Sequence, residues 1–595
     1  MKKIKSICDQ INRIMYILNG SQKKYGCIVL LMTFGGAILE MFGVSVIIPL
    51  VQVLLTPDQL LQNKYIRIFI NIFNLETVNQ VVAGIIILVI ALYVFKNLYL
   101  ILLSWVRSKY SCKVQRELSV QMLDSYMKRD YEFFLNKNTG DLIRGVTTDI
   151  TGVYSVIYQG LRIITEVLTL VCICVYICLC DWIMATVMII LAIICLLIIV
   201  FVFRKYMGIL GEKNWKYNAE LNQHILHVFQ GIKEVLVMQK QKYFKDSYEK
   251  TYIKRQKCEI GQVVGAESPA YIIEALCVSG VLISISIRVN GMESAQAFIP
   301  TLAAFAVAAF RILPSLGRLS SSFNQLTYML PSLDAVYKNI AEVRQQEEET
   351  DIKEEVLTHN RLQDNTLKKE IRLENICWKY ANTSSYVLEG VNMVISKGQS
   401  VALVGQSGAG KTTLADLLLG ILKPQKGVIK MDGTDINDIP DEWRRAIGYV
   451  PQSIYLTEQS IMENVAFGVE KKDIDENKVR KALEQAQLLD VIKQLPDGIY
   501  TAIGERGIKL SGGQRQRIAI ARALYNNPEI VIFDEATAAL DNETERAVME
   551  SIEALRGEKT LVIIAHRLTT IEKCDVIYEV SNKNVTIRKY EELIK

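Results

Sequence analysis

The chain has 595 residues, half of them hydrophobic, and a mean hydropathy of +0.20; it is long enough for more than one core and too apolar for an ordinary soluble protein. Its formal charge of +5 comes from 68 basic and 63 acidic residues, too small an excess to suggest nucleic acid as a partner. Cys172, Cys174, Cys178 and Cys180 lie in one apolar run, as small hydrophobes do and as a disulfide or metal framework does not.

In chain order, residues 1–20 come first. Lys2, Lys3, Lys5 and Arg13 are set against Ile4, Ile7, Ile11, Ile14, Met15 and Ile17, without a small-residue cleavage site. The pattern predicts an amphipathic helix lying on the cytoplasmic membrane face. Residues 21–338 read as a membrane domain. Spanning a bilayer takes about 20 mostly apolar residues, and six runs qualify, at 26–54, 82–106, 156–180, 182–203, 263–288 and 296–316. Basic residues crowd the connections 107–150 and 204–257, whereas Asp181 and Asn290–Ser294 make short turns. Both termini and both long connections are therefore expected in the cytoplasm. Each connection should extend its flanking helices and reverse in a short helix, at Tyr131–Thr139 and around Gly231, that docks on the domain to come. Between the first two spans, Thr56–Thr77 places apolar residues at helical spacing, as in a helix lying against the outer leaflet or the bundle.

Ionisable residues within apolar runs are costly and mark a cavity or a partner. Glu40, Lys96, Arg162, Glu166, Glu267, Glu274, Arg311 and Arg318 are of this kind. Arg311 and Arg318 are seven residues apart, about 10 Å along one helix face. Two readings follow with equal weight: the pair binds an anionic headgroup such as a diphosphate, or it is held by carboxylates such as Glu267 or Glu274.

Residues 339–366, with Glu347-Glu-Glu349 and Glu354-Glu355, read as a charged linker, and 367–595 as a soluble α/β domain. A buried strand over Val401–Val404 runs into Gly405-Gln406-Ser407-Gly408-Ala409-Gly410-Lys411-Thr412-Thr413. This is the phosphate-binding loop: glycines let the backbone approach, N–H groups at a helix start cradle phosphate, Lys411 neutralises it, and Thr412 is suited to Mg2+. A second strand, Ile530–Phe533, ends in Asp534-Glu535. Asp534 suits the metal, and Glu535 is placed to polarise the attacking water. The strand Thr560–Ile564 delivers His566, where an imidazole can contact the terminal phosphate.

Ser511-Gly512-Gly513-Gln514 follows Leu510, and this stretch resembles the signature of ATP-binding-cassette transporters; the likeness runs the length of the chain. It implies a fold of six long transmembrane helices followed by an α/β P-loop cassette, with ATP and Mg2+ as cofactors. Tyr380 is similar to the aromatic that stacks on adenine, Gln452 to the residue that links metal to membrane half, and Gly504–Gly507 to the loop sensing the coupling helices. Ala538–Asp541 is similar to the loop that crosses between cassettes, with alanine where relatives commonly carry serine. In the family Ser511 and its glycines meet the phosphate held by the other subunit, so one cassette per chain implies a dimer, most simply a C2 homodimer.

Gly36–Pro49, Pro269 with Glu274, and Arg311–Arg318 together resemble bacterial flippases for lipid-linked oligosaccharides. That resemblance implies a cytoplasmic-membrane ATPase moving a polyprenyl-diphosphate glycan to the outer leaflet, with Lys96, Arg311 and Arg318 facing an anionic amphipathic cargo in the lipid bilayer. Ala270 departs from the arginine such relatives carry after the proline of span five. The alternative is an exporter of lipid, drug or peptide with the same architecture.

Overall fold

The computed structural model describes residues 2–46, 78–180, 203–289, 299–357, 367–381, 383–504, 507–535, 542–565 and 571–593, with isolated positions between 186 and 197. The chain divides into two units, Met1–Arg129 with Asn136–Glu348, and Asp130–Leu135 with Glu349–Lys595.

The first unit is helical: α1 (Lys2–Ile17), α2 (Gly20–Ser45), α3 (Val78–Met127), and, after α4 (Tyr131–Leu135), α5 (Thr139–Val146), α6 (Thr148–Cys180), α7 (Arg204–Gln230), α8 (Ile232–Val237), α9 (Gln241–Val289) and α10 (Ile299–Leu357). Among the described residues three helices contain stretches long and apolar enough to cross a membrane, at Gly20–Gly43, Gln80–Met127 and Thr139–Leu179. The expected fourth span at 182–203 and the expected external helix at 56–77 fall outside the described residues, apart from the isolated positions and Phe203. The reversals form as short helices, α4 and α5 in the first connection and α8 in the second, where Gly231 separates α7 from α8. The segment expected as a linker from 339 is instead helical as far as Leu357, because α10 continues through it.

Helix α1 is clamped to α10. Arg13 pairs with Asp334 at 2.6 Å and with Asp9 at 2.7 Å, Arg344 donates to the Tyr16 carbonyl at 2.8 Å, and Tyr16 meets Tyr337 edge-on. Ile17 is fully buried by this contact, while Ile11 and Met15 stay exposed on the other side.

Close helix approaches rest on small residues. A Cβ on Gly211 would stand 2.2 Å from the Tyr328 carbonyl oxygen, and one on Gly152 would stand 2.4 Å from Ser332. Both glycines let α10 seat against α7 and α6. Pro269, inside α9, has no N–H to offer the Gly265 carbonyl four residues back. The Asn324 amide, fully buried on α10, donates to that carbonyl at 2.8 Å. A break in one helix is thus repaired by its neighbour, as an apolar environment requires.

The second unit holds two sheets. Strands β1 (Glu370–Trp378), β2 (Leu388–Ser396), β4 (Lys426–Met431) and β5 (Thr434–Asp435) form an antiparallel sheet in the order β2-β1-β4-β5. Strands β3 (Ser400–Val404), β6 (Ile447–Val450), β7 (Ile530–Asp534), β8 (Thr560–Ile564), β9 (Val576–Ser581) and β10 (Asn584–Arg588) form the order β10-β9-β3-β8-β7-β6, parallel except at the β10 edge. β3, β7 and β8 are buried at every position, the pattern of strands covered on both faces. One core lies where the two sheets meet α11 (Lys411–Leu418), around Trp378, Leu403 and Trp443. The other joins the parallel sheet to α12 (Glu476–Gln485) and α13 (Gly512–Leu524). Asp130–Leu135, read from sequence as part of the membrane domain, belongs to this second unit, where Asp130 lies 3.4 Å from Lys423.

Candidate nucleotide site and embedded charges

Parallel strands bring their C-terminal ends to one edge, and the loops leaving those ends carry the site. From β3 the chain turns through Gly405 (φ 149°), Gly408 (φ 80°) and Gly410 (φ 105°) into α11. A Cβ on Gly405 would stand 2.3 Å from the Val580 carbonyl oxygen, whereas the space at Gly408 is open. Gln406, Ser407 and Thr412 are exposed, Ala409 is partly covered, and Thr413 is buried. The Lys411 ammonium folds back onto the loop, donating to the carbonyls of Gly405 at 2.8 Å and Gln406 at 3.0 Å. Burial holds its pKa below the ordinary lysine value, against the opposing charges of Glu535 and Asp534. This open, glycine-lined loop ahead of a helix start, with an ammonium inside it, fits nucleotide phosphates.

Asp534 ends β7 almost fully buried and accepts from the Tyr449 hydroxyl of β6 at 3.4 Å. Glu535 follows with its backbone in the left-handed region (φ 47°), strained for a non-glycine residue. Gln452, just beyond β6, donates through Nε2 to Glu535 Oε2 at 2.5 Å. Tyr380 sits edge-on to Trp378, ring centroids 4.4 Å apart, and shares a hydrogen bond with Thr413 at 3.4 Å. Thus Gln452 meets Glu535 and Tyr449 meets Asp534 at the ends of the paired strands β6 and β7, while Tyr380, after β1 of the antiparallel sheet, meets Thr413 on α11. His566, Glu505, Arg506 and the stretch Ala538–Asp541 lie outside the described residues.

Ser511 caps α13: its Oγ accepts from the Gln514 N–H at 3.3 Å, and its own N–H donates to Gln514 Oε1 at 2.9 Å. The reciprocal pair satisfies two helix-end groups. Gly512 is exposed and Gly513 buried at the first turn. Sequence reasoning missed two supports of this site. One is Tyr449, on the strand leading to Gln452. The other is Arg522, which donates to the carbonyls of Tyr455 and Asn464, both at 2.8 Å, and so ties α13 to the segment after Gln452. A lone arginine in a helix carries no local signal for such a long-range tie.

In the first unit, Lys96 pairs with Glu40 at 3.3 Å, both side chains under a tenth exposed. Arg318 donates through Nε and Nη2 to the two oxygens of Glu166, at 2.5 and 3.0 Å. Of the two readings open for Arg318, headgroup binding or a carboxylate such as Glu267 or Glu274, the structure shows a carboxylate partner, and it is Glu166; Glu166 and Arg318 are 152 positions apart, and helix packing selects the pair. Arg311 is on α10, with its side chain outside the described residues.

Comparison with known proteins agrees with this geometry. The ABC transporter pattern matches residues 388–538, and the ABC transporter transmembrane region matches 24–264. An ATP-dependent lipid A-core flippase of Ralstonia nicotianae is 46% identical over 35% of this chain, an alignment spanning 36% of that protein. One from Cupriavidus pinatubonensis is 30% identical over 82% of this chain and 81% of its own. A bacterial Atm1-family ABC exporter with ATP bound matches in fold, with a TM-score of 0.76 at 22% identity over 97% of both chains. The chain belongs to the ABC transporter family, as an exporter-type half-transporter in which one transmembrane region is joined to one cassette whose ATPase activity drives translocation.

Proposed function

We propose that two copies of this chain form a homodimer that hydrolyses ATP to flip a polyprenyl-diphosphate-linked oligosaccharide from the cytoplasmic to the outer leaflet of a bacterial inner membrane, with both termini cytoplasmic. The observation that carries the cargo is Arg318, an embedded cation that keeps 35% of its side chain exposed beside Glu166, with Lys96 as a second embedded cation held by Glu40. Cations so placed suit an anionic headgroup travelling within the protein.

In the cassette, the loop Gly405–Thr413 and Lys411 hold the phosphates, and Tyr380 meets the base. Thr412, Gln452 and Asp534 are the residues that would hold Mg2+, whose contribution is to neutralise phosphate charge. Glu535 orients and deprotonates the attacking water, and His566 contacts the terminal phosphate. Ser511, Gly512, Gly513 and Gln514 serve the partner copy's nucleotide, the exposed cap being open to a second chain. The short helices α4 and α8 transmit cassette motion to the spans.

Purified protein in liposomes should hydrolyse ATP, lose that activity in Glu535→Gln, and respond to a polyprenyl-diphosphate glycan through Arg311 and Arg318. The relatives named for lipid A-core favour a second reading, a flippase for another anionic lipid. Stimulation by such a lipid alone, with none by the diphosphate glycan, would decide for it.

A further inference from the structure

The Arg318 guanidinium is engaged on one edge and open elsewhere. Nε and Nη2 address the two oxygens of Glu166, and Nη2 also reaches the Ser315 hydroxyl at 3.0 Å. Glu166 is 9% exposed but Arg318 keeps 35%. A part-buried bidentate pair of this kind adds little stability over well-packed apolar residues. What it does create is competition: any anion that takes the arginine's fork must displace a carboxylate already held in place.

Charge decides that competition. A phosphodiester lipid headgroup brings one negative charge, the same as Glu166, and gains nothing by the exchange. A diphosphate joining lipid to glycan carries about two negative charges, one on each phosphorus centre, so one phosphate can occupy the open edge while the other outbids the carboxylate for the fork. Discrimination of this form, by a resident group that the wrong partner cannot displace, is a recurrent way to build specificity. We propose that Glu166 is the specificity-determining residue of an anion site at Arg318, rejecting singly charged phospholipids of the surrounding bilayer and admitting a diphosphate-linked lipid. This rests on the cargo reading above and adds to it the residue that sets the selection.

The test titrates purified full-length protein, in phosphatidylcholine nanodiscs, with undecaprenyl diphosphate or with phosphatidylglycerol. Binding is read as the shift in unfolding temperature, and ATPase stimulation is recorded in parallel. The wild type should respond to the diphosphate at a mole fraction about tenfold or more below that for phosphatidylglycerol, and Glu166→Gln should narrow the ratio to about threefold by gaining the phosphatidylglycerol response. Glu166→Asp, which keeps the charge, should retain the wild-type preference, and Arg318→Ala should lose the diphosphate shift. If Glu166→Gln keeps the full preference, or Arg318→Ala keeps the diphosphate shift, the assignment of Glu166 is overturned while the cargo reading stands. A wild type that responds to neither lipid removes this inference, and one that also ignores the glycan-linked diphosphate removes the cargo reading with it.

Discussion

Gln452 and Glu535 are joined by a 2.5 Å hydrogen bond between the loop after β6 and the end of β7. The residue assigned to the metal and the residue assigned to the water are thus one mechanical piece, because β6 and β7 pair in parallel from Ile447–Ile530 to Val450–Phe533. Removing the Glu535 carboxylate as Glu535→Gln should lower phosphate release by about 10²–10⁴-fold, the usual size of a lost general base, with ATP binding retained. Gln452→Ala should lower turnover by about tenfold, since it removes an orienting contact and leaves the base. Equal losses in the two variants, measured by steady-state phosphate release, would contradict this division of roles.

The repair of α9 by α10 makes a double-mutant prediction. Asn324→Leu leaves the Gly265 carbonyl without its donor in a buried setting and should destabilise by about 1–3 kcal/mol. Pro269→Ala restores an N–H in the right place, so Asn324→Leu should cost much less in a Pro269→Ala background. Thermal unfolding of the four proteins in detergent measures the coupling.

Lys96 and Glu40 give a second coupled pair. Replacing either alone, as Lys96→Met or Glu40→Leu, breaks the ion pair in a buried setting and should destabilise by about 3–5 kcal/mol. The double variant Lys96→Met with Glu40→Leu should recover most of that loss, and unfolding midpoints of the three variants would show it. Additive losses would mean that the two residues act separately.

Asp416, on the helix after the phosphate loop, has its carboxyl pushed up from 3.8 to about 6, first by burial and then by the charge of Asp534. The folded state therefore holds this proton more tightly than the unfolded chain. The stabilisation is fully present below 3.8 and is lost as pH rises through about 6. In nucleotide-free protein with chelator, Asp416→Asn should match the wild type below about pH 4 and become progressively more stable than it between about pH 4 and pH 6, with the gap levelling off above that. A stability difference that does not change with pH over this window would remove Asp416 as its source.

Much of the second unit was legible in the amino-acid sequence alone. A phosphate loop is contiguous, so Gly405–Thr413 carries its geometry in its own spacing, and β3, β7 and β8 read as buried because each is a short unbroken apolar run. The order of these pieces along the chain, with Ser511–Gln514 between them, was enough for the family and for ATP. Among the described residues, the runs read at 82–106, 156–180 and 263–288 fall within the long helices α3, α6 and α9. Contacts between residues far apart in the chain were not legible: Glu166 in place of Glu267 or Glu274 as the partner of Arg318, Asn324 under the Pro269 break, the clamp of α1 on α10, and Tyr449 behind Asp534. Local pattern determines which segments become helix, strand or loop, because backbone hydrogen bonds and hydrophobic period act over a few residues. Only packing decides which buried charge meets which carboxylate, since that choice depends on the approach of helices 56 residues apart in the chain for Lys96 and Glu40 and 152 apart for Arg318 and Glu166.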